Sequence, residues 1–383
     1  MEKWYPVWGY HVQNYSPLPM SVDGLTQEIR VQSSISGKNL RLLLSNRYGA
    51  DALTLSEITV GAGNHTCSLA VNGSRSVRLK PDEECYTDAV PLAVDCGSAL
   101  TVRMKLSSAA LCTGCVGFHS SKIARVAFFD ETGAGVATET VSAAVKKGFS
   151  RFVCAGLCGI EISGSDAFAP APTVIAVFGD SIVQQGHWYG SLHQKLVESD
   201  CGWTLYNEGI SGNRVIRDNH SVSALNPIFG AAGVRRFEQD VYARRKPDIV
   251  LIAEGINDLV HPGNGCPVSE LPEAEAIIVG LHRLRQIARE NGSIPVIATL
   301  SPFDNYDGIW NNEREKTRQL VNRWVRAQEN CVDIDRCVRD RENPCRLDRK
   351  YDSGDHLHLN GAAGAAAAEE IFRVLKESRR SMI

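Results

Sequence analysis

The stretch Val-Phe-Gly-Asp-Ser-Ile at 177–182 ends an apolar run on a serine. Gly, Asp and Ser are ordinary turn residues, so a simple loop accounts for the composition. The same placement suits a nucleophile at the mouth of an α/β sheet. A serine hydroxyl attacks only when a base takes its proton, and that chemistry also needs an acid to orient the base and donors for the developing oxyanion. Three further segments carry residues of suitable type: "NEGISGNR" at 207–214, "GINDL" at 255–259 and "DSGDHLHLNG" at 352–361. In the last, Asp355 precedes His358 by three residues, close enough on a tight turn for the carboxylate to meet the imidazole Nδ1–H. His356 is the competing histidine.

The elements around these segments place them together. "TVIAVFGD" is an almost continuous apolar run, as in a strand buried on both faces of a parallel sheet. "WTLYNEG" (203–209), "DIVLIAEG" (248–255) and "IPVIATL" (294–300) read as further strands, and "CVDID" (331–335) as a short fifth. Between and after them, 188–197, 273–290, 312–328 and 361–377 repeat apolar residues at helical spacing, with Ile277, Ile278, Leu281, Leu284 and Ile287 on one face of the second. Strands alternating with helices predict a doubly wound α/β sheet, in which ligands bind at the carboxyl ends of the strands. Ser181 and the loops after the next two strands lie at such ends. Before this region the pattern is different. Residues 40–46, 53–62, 100–106, 124–130 and 152–162 read as strands, separated by Gly, Asn, Asp and Ser clusters, which favours an all-β sandwich. "SGSDAFAPAPT" (163–173) reads as a linker. The sequence therefore predicts a β domain over 1–165 and an α/β domain over 173–383.

Ser181 in Gly-Asp-Ser-Ile, Gly212 in "ISGNR", Asn257 in "GINDL" and the Asp355-x-x-His358 pair resemble, in order, the four blocks of the SGNH, or GDSL-type, hydrolases. The resemblance spans about residues 173–375. The context "EGINDL", "ATLSPF" and "DSGDHLHLNGAAG" is similar to a branch that includes acetylxylan-esterase-like bacterial esterases, and a β-rich domain ahead of the hydrolase fits that branch. Leu359 departs from the pattern, standing where many relatives have proline. The resemblance implies a flavodoxin-like sheet, a jelly-roll-like β domain and a carboxylic ester hydrolase working through an acyl-enzyme. Ser181 is then the nucleophile, His358 the base and Asp355 the orienting acid. The N–H groups of Ser181 and Gly212 and the Asn257 amide would form the oxyanion hole, each donor being worth about 3–4 kcal/mol. Gly212 lacks a Cβ and so permits close backbone approach. Asp180 and Asp258 read as turn-holding residues.

Substrate is expected to be a short-chain, acetyl ester on carbohydrate, a small molecule or oligosaccharide. Trp188, Tyr189, Arg214 and His261 are the candidate substrate-binding residues, with Gln184, Gln185 and His187 near the same mouth; Trp188 and Tyr189 equally suit a core. A lipid-ester or thioester hydrolase on the same site and a catalytically inactive carbohydrate-binding protein are the alternatives. No cofactor and no metal is called for: "GISGN" lacks the third glycine of a dinucleotide fingerprint.

The 383 residues are 43% hydrophobic and 22% charged, with a net charge of −3, ordinary for a globular protein and more than one core usually holds. No basic block suggests nucleic acid, and no stretch reaches the roughly 18 apolar residues of a membrane span. "MEKWYPVWGYHVQNY" lacks a signal peptide's apolar core. The chain as written therefore reads as cytoplasmic, with secretion left open if a leader was removed. Homo-oligomerisation is also left open. Twelve cysteines divide oddly between the domains, which speaks against a disulfide framework. "CTGC" (112–115) and "CAGLC" (154–158) have the spacing of half zinc sites, or are small buried apolar residues.

Overall fold

A computed structural model describes residues 2–164, 170–219 and 223–380. The chain falls into two compact units, Met1–Val174 with Leu196–Tyr206, and Ile175–Lys195 with Asn207–Ile383. The expected linker contains residues 165–169, which lie outside the described residues.

The first unit is rich in strands that pair antiparallel. Ala99–Ser107 lies between Thr26–Gln32 and Leu53–Ala62. Its side chains alternate as the pleat requires: Leu100, Val102, Met104 and Leu106 are buried, while Ala99, Arg103 and Ser107 are exposed. A second sheet runs Trp4–Gly9, Gly156–Ser163, Gly37–Ser45 and Glu84–Tyr86. "FVCAGLCGIEI", which reads as one strand in the sequence, is two, Phe152–Cys154 and Gly156–Ser163. The break falls at Ala155, just before Gly156, whose φ of +74° suits glycine. "CTGC" leads into the strand Gly114–Phe118, and its glycine serves packing: a Cβ on Gly114 would lie 1.7 Å from the Arg47 carbonyl oxygen. Among the described residues none of the twelve cysteines forms a disulfide. Among the described residues no group of His, Cys, Asp and Glu is arranged to hold a metal, and no helix is long and apolar enough to cross a membrane.

Among the described residues the α/β part has five strands: β1 (Thr173–Gly179), β2 (Trp203–Gly209), β3 (Ile249–Ala253), β4 (Ile294–Ala298) and β5 (Cys331–Val332). Their order is β2-β1-β3-β4-β5. The pairs β1–β3, β3–β4 and β4–β5 are parallel. Every residue of β1 and β2 is buried, which explains the almost continuous apolar run of β1; β2 buries Thr204, Asn207 and Glu208 as well. The helices are α1 (Ser181–Gln184), α2 (His187–Ser199), α3 (Gly233–Tyr242), α4 (Asn257–Val260), α5 (Ala274–Glu290), α6 (Asn312–Arg326), α7 (Ile334–Val338) and α8 (Gly361–Arg380). On α5, Ile277, Leu281, Leu284 and Ile287 face the core.

Candidate active site

β1 ends where β3 ends, and the two backbones touch. A Cβ on Gly179 would lie 2.1 Å from the Ala253 carbonyl oxygen, so only glycine fits. Asp180 then caps α1, its carboxylate accepting from Ile182 N at 2.9 Å. This leaves Ser181, the first residue of α1, with a hydroxyl not spent on capping. Ser181 Oγ lies 2.9 Å from His358 Nε2, and His358 Nδ1 lies 2.5 Å from Asp355 Oδ2. The other Asp355 oxygen accepts from Leu357 N (3.0 Å), His358 N (2.8 Å) and Ser353 Oγ (3.1 Å). One carboxylate thus shapes its own turn and holds the imidazole. Burial opposes ionisation of Asp355, but the hydrogen bonds and charge of His358 with the two backbone donors outweigh it and hold the carboxyl well below the usual range. An ionised carboxylate only accepts, so Nδ1 carries the ring proton and Nε2 offers its lone pair to the serine.

Gly212 has φ +73°, and a Cβ there would meet the Phe229 ring at 2.1 Å. Among the described residues the backbone N–H groups of Ser181 and Gly212 have no acceptor. Asn257 opens α4 and donates one amide hydrogen to the Asn213 carbonyl at 2.9 Å, leaving the second for another acceptor. Asp258 holds the neighbouring loop by accepting from Val215 N at 2.7 Å and Ile216 N at 3.3 Å. Burial pushes its carboxyl up to about 6 and that of Asp180 up to about 7.

The candidate substrate-binding residues divide. Trp188 and Tyr189 are 0% and 2% exposed and belong to the core. Arg214 is also buried, its guanidinium on Glu270 at 2.6 Å and Cys266 Sγ at 3.3 Å. None of these three presents its side chain to a ligand. His261 does stand at the site. Its Nδ1 accepts from Asn219 Nδ2 at 2.7 Å, and Asn219 Nδ2 also donates to the Gly212 carbonyl at 3.3 Å. Burial and the Arg214 charge lower its pKa to about 4, so the ring is neutral at neutral pH. His356 is engaged elsewhere, its Nδ1 on Asp352 Oδ2 at 2.7 Å. Three participants were not singled out in the sequence: Asp352, which ties the loop of Asp355 through Gly354 N and His356 N; Asn213; and Arg236, discussed below. Asn213, inside "ISGNR", and Asp352, at the head of "DSGDHLHLNG", lie in stretches the sequence marks; Arg236 has no such local signal.

Residues 177–366 match the model of the GDSL-like lipase/acylhydrolase family. This part of the chain belongs to that family. The GDSL-like part is accordingly a carboxylic ester hydrolase. Comparison with curated proteins finds no match. Solved structures similar to the GDSL-like part include a GDSL-like lipase from Bacteroides thetaiotaomicron, at 15% identity over 54% of this chain and 89% of that one, TM-score 0.40. An acetyl xylan esterase from Geobacillus stearothermophilus is 19% identical over 54% and 95%, TM-score 0.41. A further acetyl xylan esterase is 19% identical over 53% and 99%, TM-score 0.40.

Proposed function

We propose that Ser181, His358 and Asp355 are the catalytic triad of this ester hydrolase and that its substrate is a short-chain, acetyl ester of a carbohydrate. The observation that carries the first half is the unbroken hydrogen-bond line from Ser181 Oγ through His358 to Asp355. His358 takes the serine proton as Oγ attacks the ester carbonyl. The imidazolium, steadied by Asp355, then protonates the departing alcohol. Charge on the carbonyl oxygen meets the N–H groups of Ser181 and Gly212 and the free Asn257 amide hydrogen. A water activated by His358 releases the acid and restores Ser181.

The carbohydrate half rests on the polar surroundings of the base. Ser353, Asp355 and His356 are exposed, and the Asn219–His261 pair offers a neutral imidazole Nε2–H beside the Gly212 loop. Such groups suit a hydroxyl-bearing alcohol. They suit a long acyl chain poorly, because a buried polar group left unpaired costs about 1–3 kcal/mol. The strand order β2-β1-β3-β4-β5 supports a doubly wound, flavodoxin-like reading of the catalytic sheet, and the antiparallel sheets of the first unit a jelly-roll-like sandwich. Two measurements test the function. Ser181→Ala should lower kcat by about 10⁶-fold with the fold intact; activity within tenfold of wild type removes Ser181 as nucleophile. Across p-nitrophenyl esters, kcat/KM should fall from acetyl to butyryl to octanoyl, an extra methylene being worth about 1–3 kcal/mol in a fitted pocket. Acetylated xylo-oligosaccharides should be deacetylated. A maximum at octanoyl refutes the acetyl reading in favour of a lipid ester.

A further inference from the structure

Arg236 lies on α3 and is only 6% exposed. Its guanidinium is shared among three strand ends. Nη2 donates to the Gly179 carbonyl at 2.9 Å, two residues before Ser181. Nη1 donates to the Glu208 carbonyl at 2.8 Å, at the end of β2, and to Asp240 Oδ2 at 3.1 Å. Nε donates to Asn213 Oδ1 at 2.8 Å, the residue after Gly212. Beyond Gly179, Nη2 stands 3.6 Å from Glu254, three residues before Asn257. The face of the guanidinium rests on the Phe178 ring, 3.9 Å from its centroid. The Asn213 backbone carbonyl in turn accepts the Asn257 amide. One planar, rigid group therefore touches the backbone beside Ser181, the side chain beside Gly212 and the strand that leads to Asn257.

We infer that Arg236 is a positioning residue that fixes the three oxyanion donors relative to one another. This rests on the triad reading above and adds to it the part that sets the donors' geometry. Oxyanion donors act because they are aimed before the charge develops, and losing one costs about 10²–10³-fold in kcat. A displacement of about 1 Å costs about 10²-fold. Lysine keeps the charge at 236 but has no planar fork, and its compact ammonium cannot serve Gly179, Glu208 and Asn213 together in this geometry. Ground-state binding of the ester does not pass through Arg236, since its donors are spent on the protein. Misaligned donors should therefore show in kcat, with KM little changed.

The test compares Arg236→Lys, Asn213→Ala, the double variant and Ser181→Ala with wild type, using p-nitrophenyl acetate and thermal melts. In Arg236→Lys, kcat should fall about 10–100-fold with KM within about threefold. Asn213→Ala, which removes one acceptor of the fork, should lower kcat by about tenfold, with KM again held. Because both changes break the same Nε–Oδ1 bond, the double variant should lose clearly less than the product of the two single losses. A folded Arg236→Lys with kcat within threefold of wild type overturns the inference, as does a loss carried by KM or one that multiplies with Asn213→Ala. If Arg236→Lys does not fold, Asn213→Ala decides: an unchanged kcat overturns the inference, and a tenfold fall at constant KM supports it. Ser181→Ala separates the two levels. Activity retained there removes the triad reading itself, whereas an inactive Ser181→Ala beside a normal Arg236→Lys removes only the role of Arg236.

Discussion

Replacing Asp355 by asparagine separates the orienting bond from the turn that contains it. Three donors converge on Asp355 Oδ1: Leu357 N, His358 N and Ser353 Oγ. In asparagine only the carbonyl oxygen can accept them, because the amide nitrogen only donates. The nitrogen is thereby turned toward His358 Nδ1, where the carboxylate oxygen stood at 2.5 Å. A donor at that place demands an unprotonated Nδ1, which moves the ring proton to Nε2. In the proposed triad that is the atom that receives the proton of Ser181, 2.9 Å away. The turn survives and the base is disabled. The precedent for this tautomer exchange is about 10⁴-fold in kcat, or about 5.4 kcal/mol at 1.36 kcal/mol per tenfold. Stability should change far less. The Asp355 side chain is 43% exposed, and partly exposed charged contacts are worth about 0–1 kcal/mol, a Tm change under about 4 °C. Steady-state rates with p-nitrophenyl acetate from pH 6 to 9, together with melts, read both quantities. A kcat within tenfold of wild type, in protein that melts normally, would refute the reasoning: His358 would then be oriented without the carboxylate.

Three other outcomes are expected. Gly212→Ala combines a φ of +73° with a Cβ 2.1 Å from Phe229, so it should destabilise by about 1–3 kcal/mol and lower kcat; an unchanged melt would show that the loop moves freely. Burial, and next the charge of Asp180, hold the Glu254 carboxyl well above its usual range. The unfolded chain releases that proton near its ordinary value of about 4.3 while the folded chain keeps it, so this group takes stability away as pH rises from there. Glu254→Gln has no proton to lose, and its Tm should fall less between pH 5 and pH 8 than that of wild type; equal falls would mean that Glu254 is ionised in the folded protein. Thiol titration of denatured, unreduced protein should count twelve titratable thiols, and a lower count would reveal disulfides.

Where one side of a strand faces a core and pairing is regular, the sequence is a good guide. Ala99–Ser107 could be read to within a residue at each end because its apolar positions alternate and its pairing with Thr26–Gln32 is regular. Trp4–Gly9 could not. Proline interrupts it, and the strand accommodates Pro6 through an irregular register between Pro6 and Trp8 against Gly156–Ser163, a long-range fact with no local sign. α3 escaped for a related reason. Its buried face includes Arg236 and Asp240 beside Phe237 and Val241, so the polar residues that break its periodicity are inside, held by partners from other segments.

The site divides along the same line. The Asp355–His358 pair is a local device: three residues apart, one turn, one carboxylate bonding both the backbone and the imidazole. Spacing reveals that kind of contact. Trp188 and Arg214 were judged by nearness in sequence to Ser181 and Gly212, and nearness misleads when direction is set elsewhere. On α2, Trp188, Leu192 and Leu196 follow one another at helical spacing and are all fully buried, so the periodicity that makes the helix turns Trp188 inward. Arg214 is claimed by Glu270, 56 residues on. The proposed acid and base are thus legible because their contact is made at a fixed local spacing. The groups that aim them, Arg236 above all, act across strands, and their signature is a set of acceptors at 179, 208 and 213 that only the folded chain brings together.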